Sequence, residues 1–281
     1  MIIGFIGAGK VGFSLGKYFS LRGIKLSGYY SKSNQSAFKA SEFTCSKHYK
    51  NIENLVNDSD MIFITTPDDE IYNIWEKISS YNLNNKIICH TSGSLSSKIF
   101  SDIDNSEASK YSIHPMFPFS NKYETYKNLK DAYFSIEGDM KNIDKIKALF
   151  SLTKNKFFII DSEKKSLYHL ANVVVSNFVL SLIDIGTNYL EKCDFNKYEA
   201  IEALMPLIMS NINNIVQNGI ENSLTGPIER NDLGTIRHHL DVIPYEDMEL
   251  YKILSLKLID ISKKKHKYRN YKDLEDYLRR I

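Results

Sequence analysis

Four polar residues, Lys165, His169, Asn172 and Ser176, recur at spacings that place them on one face of a helix. The stretch around them is otherwise apolar, with Leu167, Leu170, Ala171, Val174, Phe178, Leu182, Ile185 and Tyr189 forming a separate stripe. Polar groups on such a helix are costly to bury without partners, so a ligand site is expected to supply them. An imidazole titrates near working pH, which makes His169 the first candidate for an acid or base. Lys165 is the second, as proton donor or substrate clamp, and Asn172 completes the candidate catalytic set. His90 and His114 close two apolar, strand-like runs and are expected to face the same site. His114, Ser176 and Arg230 are the candidate substrate contacts, with Arg230 able to hold a carboxylate bidentately. The bland alternatives are hydrogen-bonded structural histidines and an Arg230 salt bridge.

The chain opens on a second constellation. Ile2 to Ile6 reads as a buried strand, Gly7-Ala8-Gly9-Lys10-Val11-Gly12 gives G-x-G-x-x-G, and helical spacing continues from Val11 to Leu21. The first glycine permits a tight turn, the second a close approach of backbone to a pyrophosphate, and the third close packing of helix on strand. The helix N-terminus then offers free N–H groups to an anion. A strand over Lys25 to Tyr30 ends in Ser31-Lys32-Ser33. An NAD site usually places an acid there for the ribose 2′-hydroxyl. Two hydroxyls and an ammonium suit a 2′-phosphate instead, so NADP(H) is expected over NAD(H). The alternative is a plain polar loop. Thr65-Thr66-Pro67 and Thr91-Ser92-Gly93 follow two further buried strands, and ligands in open α/β sheets sit beyond such strand ends. Asp68 reads as the cap of the next helix.

The elements that must carry these residues alternate strand and helix over residues 1–161, which predicts a doubly wound, mostly parallel sheet. A strand over Lys110 to Ile113 is expected to end in a rigid His114–Phe119 wall containing two prolines. From residue 162 to 281 the pattern is helical throughout, with a long helix over Glu163 to about Lys192, a second from Asn196 kinked at Pro206, and a turn-rich Leu224–Asp232 stretch. The Lys263–Lys267 run reads as a solvated helix end.

Bulk composition excludes several classes. The net charge is +2, which gives no electrostatic case for nucleic acid or a membrane surface. Polar residues interrupt the apolar runs, and no leader is expected ahead of the first strand, so the expected location is cytoplasmic. Cys45, Cys89 and Cys193 have no metal-ligand spacing, and His238 and His239 point apart as helix neighbours, so no metal is expected.

The Gly-rich turn, the strand ending in Thr-Pro-Asp-Asp and the helical second half together resemble the superfamily of β-hydroxyacid dehydrogenases and pyrroline-5-carboxylate reductases. Three finer stretches, His90–Ser94, Ser112–Pro118 and Leu224–Asp232, with Tyr168-His169, are similar to a bacterial family of NADP oxidoreductases whose helical half is a domain of unknown function. The resemblance implies a cofactor on the first sheet, an active site between the halves and a homodimer formed through the helical half. It also implies hydride transfer between nicotinamide and a small carbonyl or imine compound. β-Hydroxyacid dehydrogenases carry Lys followed four residues later by Asn on this helix. Here Lys165 is followed at that distance by His169 and later by Asn172. The alternative function is an NADP(H)-binding sensor or partner protein that turns nothing over.

Overall fold

The computed structural model describes residues 1–100 and 107–280, folded as two compact units, Met1–Val179 and Leu180–Ile281. The division falls inside the long helix, downstream of the 161/162 boundary at which the sequence pattern turns helical.

The first unit is built on an eight-stranded sheet: β1 (Ile3–Ile6), β2 (Leu26–Tyr30), β3 (Lys47–His48), β4 (Met61–Ile64), β5 (Ile87–His90), β6 (Ser109–Met116), β7 (Tyr133–Gly138) and β8 (Phe157–Ile159). Their spatial order is β3-β2-β1-β4-β5-β6-β7-β8, and every pairing is parallel except β6 with β7. Burial on both faces explains the near-continuous apolar runs of β1, β4 and β5. Side chains alternate across the sheet, so Ile3, Phe5, Met61, Phe63, Ile87 and Cys89 enter one core while Ile6, Ile62, Ile64 and Ile88 enter the other. Helices α1 (Lys10–Leu21), α2 (Asn34–Thr44), α3 (Ile52–Asn57), α4 (Asp68–Ile78) and α5 (Ile143–Thr153) connect the strands. The first core stacks Phe5 on Tyr29 and on Phe63, at centroid distances of 5.2 and 5.5 Å. Emptying one such position costs about 3–5 kcal/mol.

Two readings need correction here. The His114–Phe119 stretch does not begin after the strand, because β6 runs on through His114, Pro115 and Met116, paired with β7. β5 pairs with β6 only as far as Ser112, so beyond that point one edge is open and proline's missing N–H breaks no ladder bond there. The two-residue β3 is too short to show a period and has no counterpart in the sequence reading.

After β8 the chain enters α6 (Lys165–Glu191), 27 residues and about 40 Å long. Its first turns pack on the sheet through Tyr168, whose ring meets Phe158 edge-on at 5.8 Å. The Ser162–Glu191 stretch is long and apolar enough to cross a membrane by length and composition, contrary to the expectation that polar interruptions exclude this.

The second unit contains α7 (Lys197–Ser223), α8 (Pro227–Arg230), α9 (Leu233–Val242), α10 (Met248–Lys265) and α11 (Lys272–Arg280). Asn196 and Glu199 form a capping box that starts α7. The helix passes Pro206 with helical dihedrals and breaks instead at Gly219, where φ is 76°. The unit's core gathers Ile228, Ile236, Ile259, Tyr271, Leu274 and Leu278. The Lys263–Lys267 run is not simply solvated. Lys265 and His266 pair with the Glu229 carboxylate, and Tyr271 and Arg269 donate to the Glu229 carbonyl at 2.7 and 2.6 Å.

Candidate functional site

The glycine turn follows from close packing. Gly7 adopts φ +108°, and a side chain on Gly12 would collide with Thr65 Oγ1 and the Gly7 carbonyl. Thr65 donates to that carbonyl at 2.9 Å, so its side chain holds the turn and is not available to a ligand. Around Gly9, by contrast, a Cβ would meet nothing within 4 Å. Gly9 also precedes α1 without any side-chain cap, and the first turn of α1 carries no acid. Free N–H groups, an open approach and the positive helix end fit a nucleotide phosphate.

A groove of about 510 Å³ runs past Gly9, Lys10, Ser36, Asn121 and Lys122, with Ala8 also lining it. Val11 packs into the core behind. Ser36 and Lys122 have no counterpart in the sequence reading, since Lys122 arrives from more than 100 residues away. Ser31, Lys32 and Ser33 lie just after β2, and Ser33 Oγ caps α2 by accepting from Ser36 N at 3.2 Å. This joins the hydroxyl-and-lysine loop to the groove through one residue.

The second cluster gathers around Gly93, after β5. A Cβ there would lie 2.8 Å from His169 Nδ1 and 2.9 Å from His114 Nε2. The bare Cα therefore lets an imidazole from β6 and one from α6 meet over the loop. His114 Nδ1 is 2.7 Å from the Tyr168 hydroxyl. Burial, with the Lys165 ammonium next, pushes the His114 pKa down to about 3. Burial also raises the Tyr168 pKa, keeping the phenol protonated. His90 is fixed in a similar way. Ser92 N–H donates to its Nδ1 at 3.2 Å, which leaves Nε2–H to donate to the Ser96 carbonyl at 3.2 Å. Burial holds its pKa at about 4.

Lys165 is 1% exposed, and its Nζ has no hydrogen-bond partner among the described residues. The ammonium stands 5.3 Å from the Tyr168 ring. Burial lowers its pKa to about 8, against the pull of Glu137 and Asp68. Both carboxylates are engaged elsewhere. Asp68 accepts from Ser92 Oγ at 2.7 Å and Ser94 Oγ at 2.9 Å, so it clamps the loop after β5 where the sequence suggested a helix cap. Glu137 accepts from Ser97 N and Oγ at 2.6 and 2.7 Å. His169 Nδ1 and Thr66 Oγ1 are likewise buried without partners.

The remaining candidates divide. Pro67 precedes α4 as its N-cap residue, and Thr91 and Ser92 belong to the loop Asp68 clamps. Asn172 donates to the Tyr168 carbonyl at 2.8 Å, and Ser176 donates to the Asn172 carbonyl at 2.7 Å. These two polar groups serve their own helix, and Ser176 is exposed. Arg230 is an exposed residue of the second unit, ending α8, while its neighbour Glu229 makes the ion pairs. The sequence reading missed Glu137, Ser97 and the Asp68 clamp, which lack local patterning.

An open α/β sheet with a glycine turn at its switch point and a cluster of imidazoles and lysine beyond neighbouring strand ends defines a nucleotide-binding fold with an adjoining chemical site. Residues 1–115 match the Rossmann-like domain family and residues 132–258 match a domain of unknown function, DUF2520. The chain thus carries these two domains in succession, as the sequence resemblance implies. It is similar to the crystal structure of protein TM1727 from Thermotoga maritima, with 27% identity, a TM-score of 0.73 and coverage of 93% of this chain and 98% of that one. BF3122 from Bacteroides fragilis, provisionally an NADP oxidoreductase, matches with 22% identity, a TM-score of 0.74 and coverage of 92% and 98%. Plasmodium falciparum pyrroline carboxylate reductase with NADP bound matches with 14% identity, a TM-score of 0.62 and coverage of 93% and 98%. These last two likenesses show the fold. No curated protein matches the chain.

Proposed function

We propose that the protein is an NADP(H)-dependent oxidoreductase acting on a small carbonyl or imine compound. The observation that carries this reading is Lys165, a buried ammonium without a hydrogen-bond partner among the described residues, on the helix whose His169 meets the His114 imidazole over the Gly93 loop. Bound at Gly9 and the N-terminus of α1, with Lys32, Ser33 and Ser36 toward a 2′-phosphate, the nicotinamide cofactor would supply or accept hydride. Lys165 holds the proton that balances it, in place of His169, which the sequence ranked first. An ammonium with its pKa near 8 is protonated at neutral pH yet gives up its proton readily. The loop clamped by Asp68 keeps Gly93 between His114 and His169.

The reading includes a cytoplasmic homodimer formed through the helical half. It is supported by apolar side chains left exposed on α6 and α7, among them Val175 at 72% and Val216 at 81%. Large apolar side chains left exposed along a helix suit an interface. A partner helix would bury it, and a membrane is the competing occupant for α6. The test of function is NADPH oxidation with a panel of ketones, aldehydes and imines. Turnover that survives unchanged in Lys165→Met contradicts the assigned proton donor.

A further inference from the structure

We infer that Lys122, brought to the glycine turn by the connection between β6 and β7, holds the 2′-phosphate of the cofactor together with Lys10. This rests on the NADP(H) reading above and adds residues that select the nucleotide.

Charge is the first argument. The groove beside Gly9 is lined by two lysines, Lys10 and Lys122, and by neither aspartate nor glutamate. Neither ammonium has an ion pair or a hydrogen bond among the described residues. The acid nearest to Lys122 along the chain, Glu124, pairs with Lys127. An NAD site uses a carboxylate at the ribose 2′-hydroxyl, and this lining offers none. A phosphate monoester brings about two negative charges at neutral pH, which two ammoniums match. The N–H groups at the start of α1 are left for the diphosphate bridge.

The way Lys122 is held is the second. Residues 117–132 join β6 to β7 and pack on α1 and α2 between them. Tyr123 meets Phe13 of α1 edge-on at 5.0 Å and Phe43 of α2 at 5.6 Å, and Phe13 stacks on Phe43 at 4.9 Å. Ser14 Oγ donates to the Lys122 carbonyl at 3.4 Å. Asn121 braces the turn, its Oδ1 accepting from Tyr123 N and its carbonyl from Thr125 N, both at 2.9 Å. The Lys122 ammonium stands 5.1 Å from the ring centroids of Phe13 and of Tyr123. Ring faces attract a cation without cancelling its charge, so Lys122 is positioned and still available to an anion.

Address is the third. Ser36, in the first turn of α2, lines the same groove. That helix follows β2, beyond whose carboxyl end the ribose of a dinucleotide lies in this fold. Lys32, the lysine singled out by the sequence, lies outside the groove lining, whereas Lys122 is part of it. Lys122 thus supplies a second cation from a distant part of the chain to the nucleotide end that Lys32 approaches.

The experiment is calorimetric titration of the full-length protein and its variants with NADPH and NADH in parallel. Failure of the parent to bind NADPH overturns the cofactor reading and this inference with it. Lys122→Met keeps an apolar stem against Phe13 and Tyr123 and removes only the charge. It should weaken NADPH by at least about tenfold and leave NADH unchanged. Lys122→Arg keeps the charge and should keep the preference. Lys10→Met alters an exposed side chain and should show the same selective loss, so the inference stays testable whatever Lys122→Met does to folding. A parent that binds NADPH while both methionine variants bind it equally well overturns the inference alone. Equal losses for NADPH and NADH also overturn it, because Lys122 would then serve a part shared by both nucleotides.

Discussion

The Tyr168 hydroxyl lies 2.7 Å from His114 Nδ1, joining the first turn of α6 to the sixth strand of the sheet. One hydrogen bond thereby sets both the rotamer of an imidazole and the position of the helix that carries Lys165 and His169. Tyr168→Phe should cost about 1 kcal/mol of stability, measured by urea unfolding. It should leave the fold intact and release His114 to exchange between tautomers. A variant as stable as the parent with an unchanged His114 spectrum would mean the bond orders nothing.

Gly9 and Gly12 should separate binding from folding. The space around Gly9 is open, so Gly9→Ala should fold with near-parental stability and bind NADPH at least about tenfold more weakly. Gly12→Ala would drive a methyl group into Thr65 and the Gly7 carbonyl, and should lower stability by about 1–3 kcal/mol. Thermal melts with and without NADPH distinguish the two effects.

Lys165 should be a burden on stability at neutral pH. Its pKa is lowered from 10.5 to about 8, so between these values the unfolded chain binds more protons than the folded one. Stability contributed through this group therefore rises with pH across that window. Lys165→Met should be more stable at pH 7 by up to about 3 kcal/mol. That advantage should shrink as pH approaches 10.5. Paired urea titrations at pH 7 and 10 check the sign. An advantage that grows with pH contradicts the buried, unpartnered ammonium.

The exposed apolar surface of α6 and α7 should be an interface between copies. Light scattering should give a dimer mass for the parent in detergent-free buffer and a monomer mass for Val175→Glu combined with Val216→Glu. A parent that requires detergent to stay dispersed would point to a membrane around α6 instead.

Much of the first unit was readable because its physics is local. The apolar run from Ile2 to Ile6 reads as a buried strand, and the glycine spacing announces the turn, while the division of Ile3 and Phe5 from Ile6 between two cores is seen in the structure. The His114 strand was cut short because Pro115 reads as a terminator, and only the register with β5 and β7 shows an edge where proline is tolerated. The polar stripe on α6 was legible as a stripe but not by role. Asn172 and Ser176 bond within the helix, while Lys165 Nζ and His169 Nδ1 have no hydrogen-bond partner among the described residues. Helical spacing cannot distinguish these cases, because the difference lies in what the sheet brings opposite each turn. Lys122, Glu137 and Ser97 reach their sites through tertiary contacts that no local pattern encodes.

The most direct test of the central claim is calorimetric titration of the purified protein with NADPH and NADH in parallel, repeated on Lys32→Glu. The account predicts tighter binding of NADPH by at least about tenfold and loss of that preference in the variant. Binding of neither nucleotide, or a preference for NADH that Lys32→Glu leaves unchanged, would contradict it.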